Sequence, residues 1–235
     1  KKYELFVNGV KEDHIELACG ETFTKELDNS KGENRLTLIF PSHEAGSICD
    51  VALSEGASFR RYKHTYGKKI LFIGDSITTY KGYTLFPSNG QYPNSKYSDF
   101  TSVTQTYWYQ LIYNKMTNAV LEANSSHTAT CVQNTVKNGY PGYGFLNRYA
   151  DLGNPDVIFI NGGTNDSWSF KLPVGTLDFS IATNDLDTYQ FAQAYDKLIR
   201  LMKEKYPKAK IFCIIGDCVM DIQYKEYAQV IRDVC

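Results

Sequence analysis

From residue 70 onward the chain alternates short apolar runs with longer stretches of helical period, and each apolar run stops at small or polar residues. Ile70-Leu71-Phe72-Ile73 leads into Gly74-Asp75-Ser76. Ala119 to Ala123 leads into Asn124-Ser125-Ser126, Asp156 to Ile160 into Asn161-Gly162-Gly163, and Lys210 to Ile215 into Gly216. Between these runs, Thr104 to Met116 reads as a helix. Tyr189 to Lys205 reads as another, with Phe191, Ala194, Tyr195, Leu198, Leu201 and Met202 on one face. A last helix begins at Gln223 and runs toward Val234. Apolar strands interleaved with helices imply a parallel sheet covered on both faces, a three-layer αβα arrangement of flavodoxin-like type. In such sheets chemistry collects at the carboxyl ends of the strands.

The first 65 residues show no helical period. Tyr3 to Val7 alternates and stops at Asn8-Gly9, a hairpin-turn signal. Ile15–Ala18, Arg35–Phe40 (closed by Pro41) and Ile48–Leu53 read as further strands. This predicts a small all-β domain over 1–65, a polar linker near Arg60 to Lys69, and an α/β domain over 66–235.

Charge narrows the function classes. With 25 basic and 26 acidic residues the net charge is −1, so no global field draws nucleic acid or anionic lipid. No apolar run approaches the ~20 residues that cross a bilayer. Six cysteines form no C-x-x-C pair, so neither a zinc site nor a redox motif is expected, and no metal or cofactor is called for. Lys1-Lys2 passes straight into strand-like sequence rather than a signal-peptide core, which leaves extracellular, periplasmic and cytoplasmic locations all open.

Two strand ends carry suggestive chemistry. In Gly74-Asp75-Ser76-Ile77-Thr78 a serine sits on a strand-to-helix turn, where its hydroxyl is exposed and free amides can face a developing anion. The same five residues also read as a tight turn with a capping serine. In Gly162-Gly163-Thr164-Asn165-Asp166 two glycines let backbone pass close to a ligand, and an asparagine amide can donate to an oxyanion. Alone, this second stretch reads equally as a glycine turn with Asx capping.

Together the two stretches resemble the first and third blocks of the SGNH/GDSL hydrolases, the third being G-x-N-D, and they stand roughly ninety residues apart as that fold requires. The resemblance implies ester hydrolysis through an acyl-enzyme, with Ser76 as nucleophile and its N–H as an oxyanion donor. Asn165 would supply a second donor. Asn124-Ser125-Ser126-His127-Thr128-Ala129 is similar to the family's N-x-G-x-S-G loop, with Ser126 at the glycine whose N–H completes the oxyanion hole and Ala129 at a later glycine. A backbone N–H survives that replacement if φ is negative. Asp75, Gly163, His127 and Trp168, by their positions beside these stretches, are the expected substrate contacts. His127 is also a candidate to reach Ser76, the alternative being a loop residue that faces solvent or a neighbouring aromatic. Tyr80 to Pro93 and Asn138 to Phe145 read as long loops whose aromatic residues border the site.

The opening residues, Tyr3 to Val7 and Arg35 to Ala57, look like the jelly-roll-like β-domain that precedes the hydrolase in some bacterial carbohydrate esterases. The family's last block, D-x-x-H, does not follow the final strand. The reading expects that block beyond Cys235, and expects this chain alone to be impaired or inactive, retaining ~10³–10⁴-fold catalysis over water. The function expected is a serine esterase removing a small, acetyl-like acyl group from a carbohydrate or other small ester. The alternatives are a non-catalytic glycan-binding protein of the same fold and, ranked lower, a lipase or phospholipid acylhydrolase.

Overall fold

The computed structural model describes residues 2–8, 10–16, 18, 20–27, 32, 34–39, 53, 55–58, 67–80, 84–85, 102–116, 118–135, 142–216 and 224–235. The chain divides into two compact units, Lys1–Tyr66 and Gly67–Cys235.

In the first unit, β1 (Lys2–Val7), β2 (Val10–Glu16) and β3 (Leu36–Ile39) form an antiparallel sheet in the order β2-β1-β3. Val7 pairs with Val10, and Asn8, directly after Val7, takes φ +54°, the left-handed region asparagine tolerates. Asn8 also fixes β3. Its N–H donates to Arg35 O at 2.8 Å, and its Oδ1 accepts from Arg35 N at 2.8 Å. Leu5, Ile15 and Ile39 are buried. The sequence expected a strand at Ile15–Ala18, whereas β2 begins at Val10 and ends at Glu16. Pairing with β1 holds the polar run after Val10 extended, a tertiary effect that local pattern does not carry. The strand expected at Ile48–Leu53 falls almost wholly outside the described residues.

In the second unit, β4 (Lys68–Gly74), β5 (Ala119–Asn124), β6 (Val157–Asn161) and β7 (Lys210–Cys213) form a wholly parallel sheet in the order β5-β4-β6-β7. Side chains alternate across it. Leu71, Ile73, Ile158 and Ile160 point to one face, where they join Phe145 and the apolar residues of α2 (Phe191–Lys205) and α3 (Tyr224–Val234) in a common core. Of the face read for α2, all but the half-buried Leu201 are buried. On the opposite face Phe72 stacks on Phe159 at 5.2 Å, and Phe159 on Phe212 at 5.4 Å. Tyr107 and Trp108 of α1 (Tyr107–Gln110) lie beside Phe72 at 6.0 and 6.4 Å between ring centroids. Helix, sheet and helix thus make three layers.

The single helix expected over Thr104–Met116 is a composite of a 3₁₀ turn at Val103–Gln105, α1, and a wider π turn at Leu111–Lys115. Thr106 accepts from Tyr109 N and restarts the helix after the first turn.

The strand order matters most. β4 has β5 on one side and β6 on the other, so the chain reverses its direction of travel across the sheet at β4. Ligands of open α/β sheets lie in the crevice that such a reversal opens beyond the strands' carboxyl ends. Gly74 and Asn161 face each other in register at that end.

Gly163 stands just past β6 with φ +111°, and a Cβ there would lie 3.2 Å from the Phe191 ring. Gly163→Ala should therefore cost about 1–3 kcal/mol. In urea unfolding the midpoint falls at unchanged m; an unaltered midpoint contradicts the strain argument.

Candidate active site

Ser76 opens a 3₁₀ turn, Ser76–Thr78, directly after β4. Asp75 caps this turn, with its Oδ1 accepting from Ile77 N at 3.0 Å. Thr78 N donates to Asp75 O at 3.1 Å, and Thr79 closes the turn by donating to Ser76 O through N at 3.1 Å and Oγ1 at 2.7 Å. As the first residue of the turn, Ser76 has no intrahelical acceptor for its own N–H. Ser76 is half-buried, while Asp75 beneath it is buried.

Burial pushes the Asp75 carboxyl up to about 6, opposed by the Ile77 N–H, the Arg148 guanidinium and the Thr164 hydroxyl. The end of β6 meets the serine turn, where Asn161 Nδ2 donates to Thr78 Oγ1 at 3.3 Å. Asn165 begins the turn Asn165–Ser169 after β6. Its Nδ2 donates to Thr130 O at 2.9 Å, and its Oδ1 accepts from Ser169 Oγ at 3.0 Å. A side-chain amide carries two N–H groups, so Asn165 holds one beyond the bond to Thr130.

The loop after β5 supplies the third wall. Ser125 N donates to Phe72 O at 2.7 Å and His127 N to Gly74 O at 3.1 Å, so the loop runs along the end of β4. Ser126 is buried, and φ is not positive there, which meets the condition set by its replacement of glycine. Its N–H, however, donates to Asn124 Oδ1 at 3.2 Å. A preceding asparagine is a known competitor for backbone donors two residues on. Ala129 has φ +56°, the left-handed region, which explains why a glycine suits this position. His127 is buried, stacked on Tyr143 at 4.6 Å, with Nδ1 on Thr128 O at 3.0 Å. A carbonyl only accepts, so Nδ1 carries the proton.

Of the remaining expected contacts, Gly163 lies against Phe191, and Trp168 projects from the Asn165 turn with 58% of its surface exposed. Most of the loop at Tyr80 to Pro93, and residues 136–141 of the other, fall outside the described residues.

Two buried charges escaped the sequence reading. Arg148 follows the Phe145–Asn147 turn, carries no spacing signal, and donates from Nη2 to Gly74 O at 2.7 Å and to Thr130 Oγ1 at 3.1 Å. Burial lowers it to about 9, with Asp75 opposing that fall. Asp166 belongs to a motif already singled out, but its role is visible only in the fold: Oδ2 accepts from Val132 N at 3.1 Å and Oδ1 from Gln133 N at 2.9 Å. Burial raises Asp166 to about 7 against those bonds, and the Asp75 charge adds to the rise. Among the described residues no cluster of three or more His, Cys, Asp or Glu is arranged to hold a metal ion, and no helix is long and apolar enough to cross a membrane.

Comparison with known proteins matches residues 68–235 to the GDSL-like lipase/acylhydrolase family. A crystal structure from Bacteroides ovatus described as a GDSL-like lipase is 30% identical, covers 72% of this chain and 80% of its own, and superposes with a TM-score of 0.62. One from Bacteroides uniformis, similarly described, is 30% identical over 72% of this chain and 78% of its own, with a TM-score of 0.60. A family two carbohydrate esterase from Clostridium thermocellum, in complex with cellohexaose, shares the fold across 99% of this chain and 70% of its own at 19% identity and a TM-score of 0.52. Among curated proteins, cellulase/esterase CelE of Acetivibrio thermocellus is 28% identical over 71% of this chain, and the match spans 20% of that relative's length.

The two buried acids give a pH signature. Unfolded, both titrate near 3.8; folded, Asp75 titrates at about 6 and Asp166 at about 7. Between those values the folded protein holds more protons than the unfolded chain, so their contribution to stability is full below the unfolded value and is lost as pH rises through about 7. In urea unfolding from pH 4.5 to 7.5, Asp166→Asn should flatten this decline relative to the parent protein. Equal slopes for the two proteins would contradict the assignment.

Proposed function

This chain belongs to the GDSL-like lipase/acylhydrolase family, and from that premise we propose that it is a serine esterase in which the Ser76 hydroxyl attacks an ester carbonyl. The carrying observation is that Gly74 lies opposite Asn161 in register, so that Ser76 and Asn165 leave the carboxyl ends of two adjacent parallel strands. Attack by Ser76 Oγ places negative charge on the carbonyl oxygen. The Ser76 N–H and the second N–H of Asn165 Nδ2 are the donors for that charge, and Ser126 N–H joins them once it leaves Asn124. The Ser76 Oγ proton passes to a general base, the role the family's D-x-x-H block would fill. Collapse of the tetrahedral species returns that proton to the departing alkoxide, which leaves as the alcohol. Water then attacks the acyl-enzyme through the same base, releasing the acid and restoring the Ser76 hydroxyl.

The acyl group is read as small, acetyl in size, and the alcohol as a carbohydrate. The sequence match to a protein named cellulase/esterase supports the carbohydrate half of that reading. Trp168, exposed in the Asn165 turn, offers a ring face to a substrate. A second reading, a non-catalytic glycan-binding protein of the same fold, draws on two observations: Ser126 N–H is engaged with Asn124, and His127 is packed against Tyr143.

Turnover separates the two. The full-length protein is expected to react with a fluorophosphonate probe at Ser76 and to hydrolyse p-nitrophenyl acetate and acetylated xylo-oligosaccharides. Ser76→Ala should abolish both, and Asn165→Ala should lower kcat by ~10²–10³-fold. Probe incorporation that survives Ser76→Ala removes the nucleophile assignment. Glycan binding without any ester turnover selects the second reading.

A further inference from the structure

We infer that Arg148 is a positioning residue for this site, a guanidinium fork that locks the nucleophile turn to the loop holding the amide donor. The inference rests on Ser76 being the nucleophile and goes beyond it, giving a role to a residue outside all three motif stretches.

The geometry is specific. Arg148 is 4% exposed, and its Nε donates to Tyr143 O at 2.8 Å. From Nη2 it reaches Gly74 O at 2.7 Å and Thr130 Oγ1 at 3.1 Å. Gly74 is the last residue of β4, two before Ser76. Its carbonyl also accepts from His127 N at 3.1 Å, so both lone pairs are engaged and the peptide plane entering Asp75 is held from two sides. Thr130 is the residue whose carbonyl accepts Asn165 Nδ2 at 2.9 Å. Thr130 Oγ1 in turn donates to His127 O at 2.8 Å, which keeps the hydroxyl oriented to accept from Arg148. One side chain therefore touches the strand end that aims Ser76 and the residue that aims Asn165.

Arginine suits this place for reasons lysine does not share. Its planar fork donates in several fixed directions at once, whereas an ammonium is a single point of charge. The Phe145 ring lies 4.4 Å from the guanidinium carbon and supports that plane. Its charge also favours ionised Asp75, the cap of the nucleophile turn. Among the described residues, Asp166, Tyr107 and Cys131 also interact with Asp75, and each would only add negative charge there. Among the described residues, Arg148 is thus a cation that opposes protonation of Asp75.

The test compares Arg148→Lys, Arg148→Met and Thr130→Val in the full-length protein, with kcat expressed per folded molecule by circular dichroism. Arg148→Met should lower kcat by ~10²-fold through misplacement of the reacting groups, with KM little changed, and should move the acidic limb of the rate profile to higher pH. Arg148→Lys should restore the acidic limb but only part of kcat. Thr130→Val, which deletes one hydroxyl and keeps the carbonyl, should lower kcat without moving the limb. A residue that only fills the core would cost stability while leaving kcat per folded molecule and the pH profile as in the parent, and that result overturns the inference. If Arg148→Met does not fold, parental kcat in both Arg148→Lys and Thr130→Val overturns it equally. Ser76→Ala is run alongside: turnover surviving there defeats the nucleophile reading itself, whereas turnover lost there with parental behaviour in the Arg148 series defeats this inference alone.

Discussion

Parallel pairing of β4 with β6 sets the rest of the structure in place. Ile70 lies opposite Val157 and Gly74 opposite Asn161, and this register brings two polar stretches 88 residues apart in sequence to one sheet end. The register is held from both faces. Ile73 and Ile160 sit in the core under α2 and α3, while Phe72 stacks on Phe159 on the other side. A slip of one residue would exchange these faces and drive aromatic rings into the helical layer, so the pairing is strongly specified. Once it is fixed, Asp75-Ser76 and Thr164-Asn165 have no other place to go.

Holding that junction requires charges where water is scarce. Asp75, Asp166 and Arg148 are all buried within the same polar cluster, and burial moves each toward its neutral form. Each is tied to backbone. Asp75 caps the serine turn, Asp166 receives two amides of the loop at Val132 and Gln133, and Arg148 grips Gly74 O. Such an arrangement is a poor route to stability and a good route to fixed geometry. It makes the loop after β5 a rigid part of the site, although that loop contains no regular structure.

What the sequence made legible follows from the range of the forces involved. Apolar runs that end in glycine and polar residues announced β4, β5, β6 and β7, because strand burial is a local pattern. Ser76 and Asn165 stood out as candidates because glycines mark where backbone must come close. Arg148 was not legible: its acceptors, Gly74 and Thr130, lie 74 and 18 positions away, and nothing in Phe145-Leu146-Asn147-Arg148 points to them. The engagement of Ser126 N–H with Asn124 did leave a signal, since an asparagine two residues before a donor often takes it. The break between the 3₁₀ turn and α1 left a fainter one, the capping threonine at 106.

The account stands on Ser76 and Asn165 sharing one cavity, and a crystal structure of the phosphonylated protein examines that claim most directly. It predicts phosphorus bonded to Ser76 Oγ, with a phosphoryl oxygen about 3 Å from both Asn165 Nδ2 and Ser76 N. An adduct on a different residue, or one on Ser76 whose oxygens lie out of reach of Asn165, would contradict it.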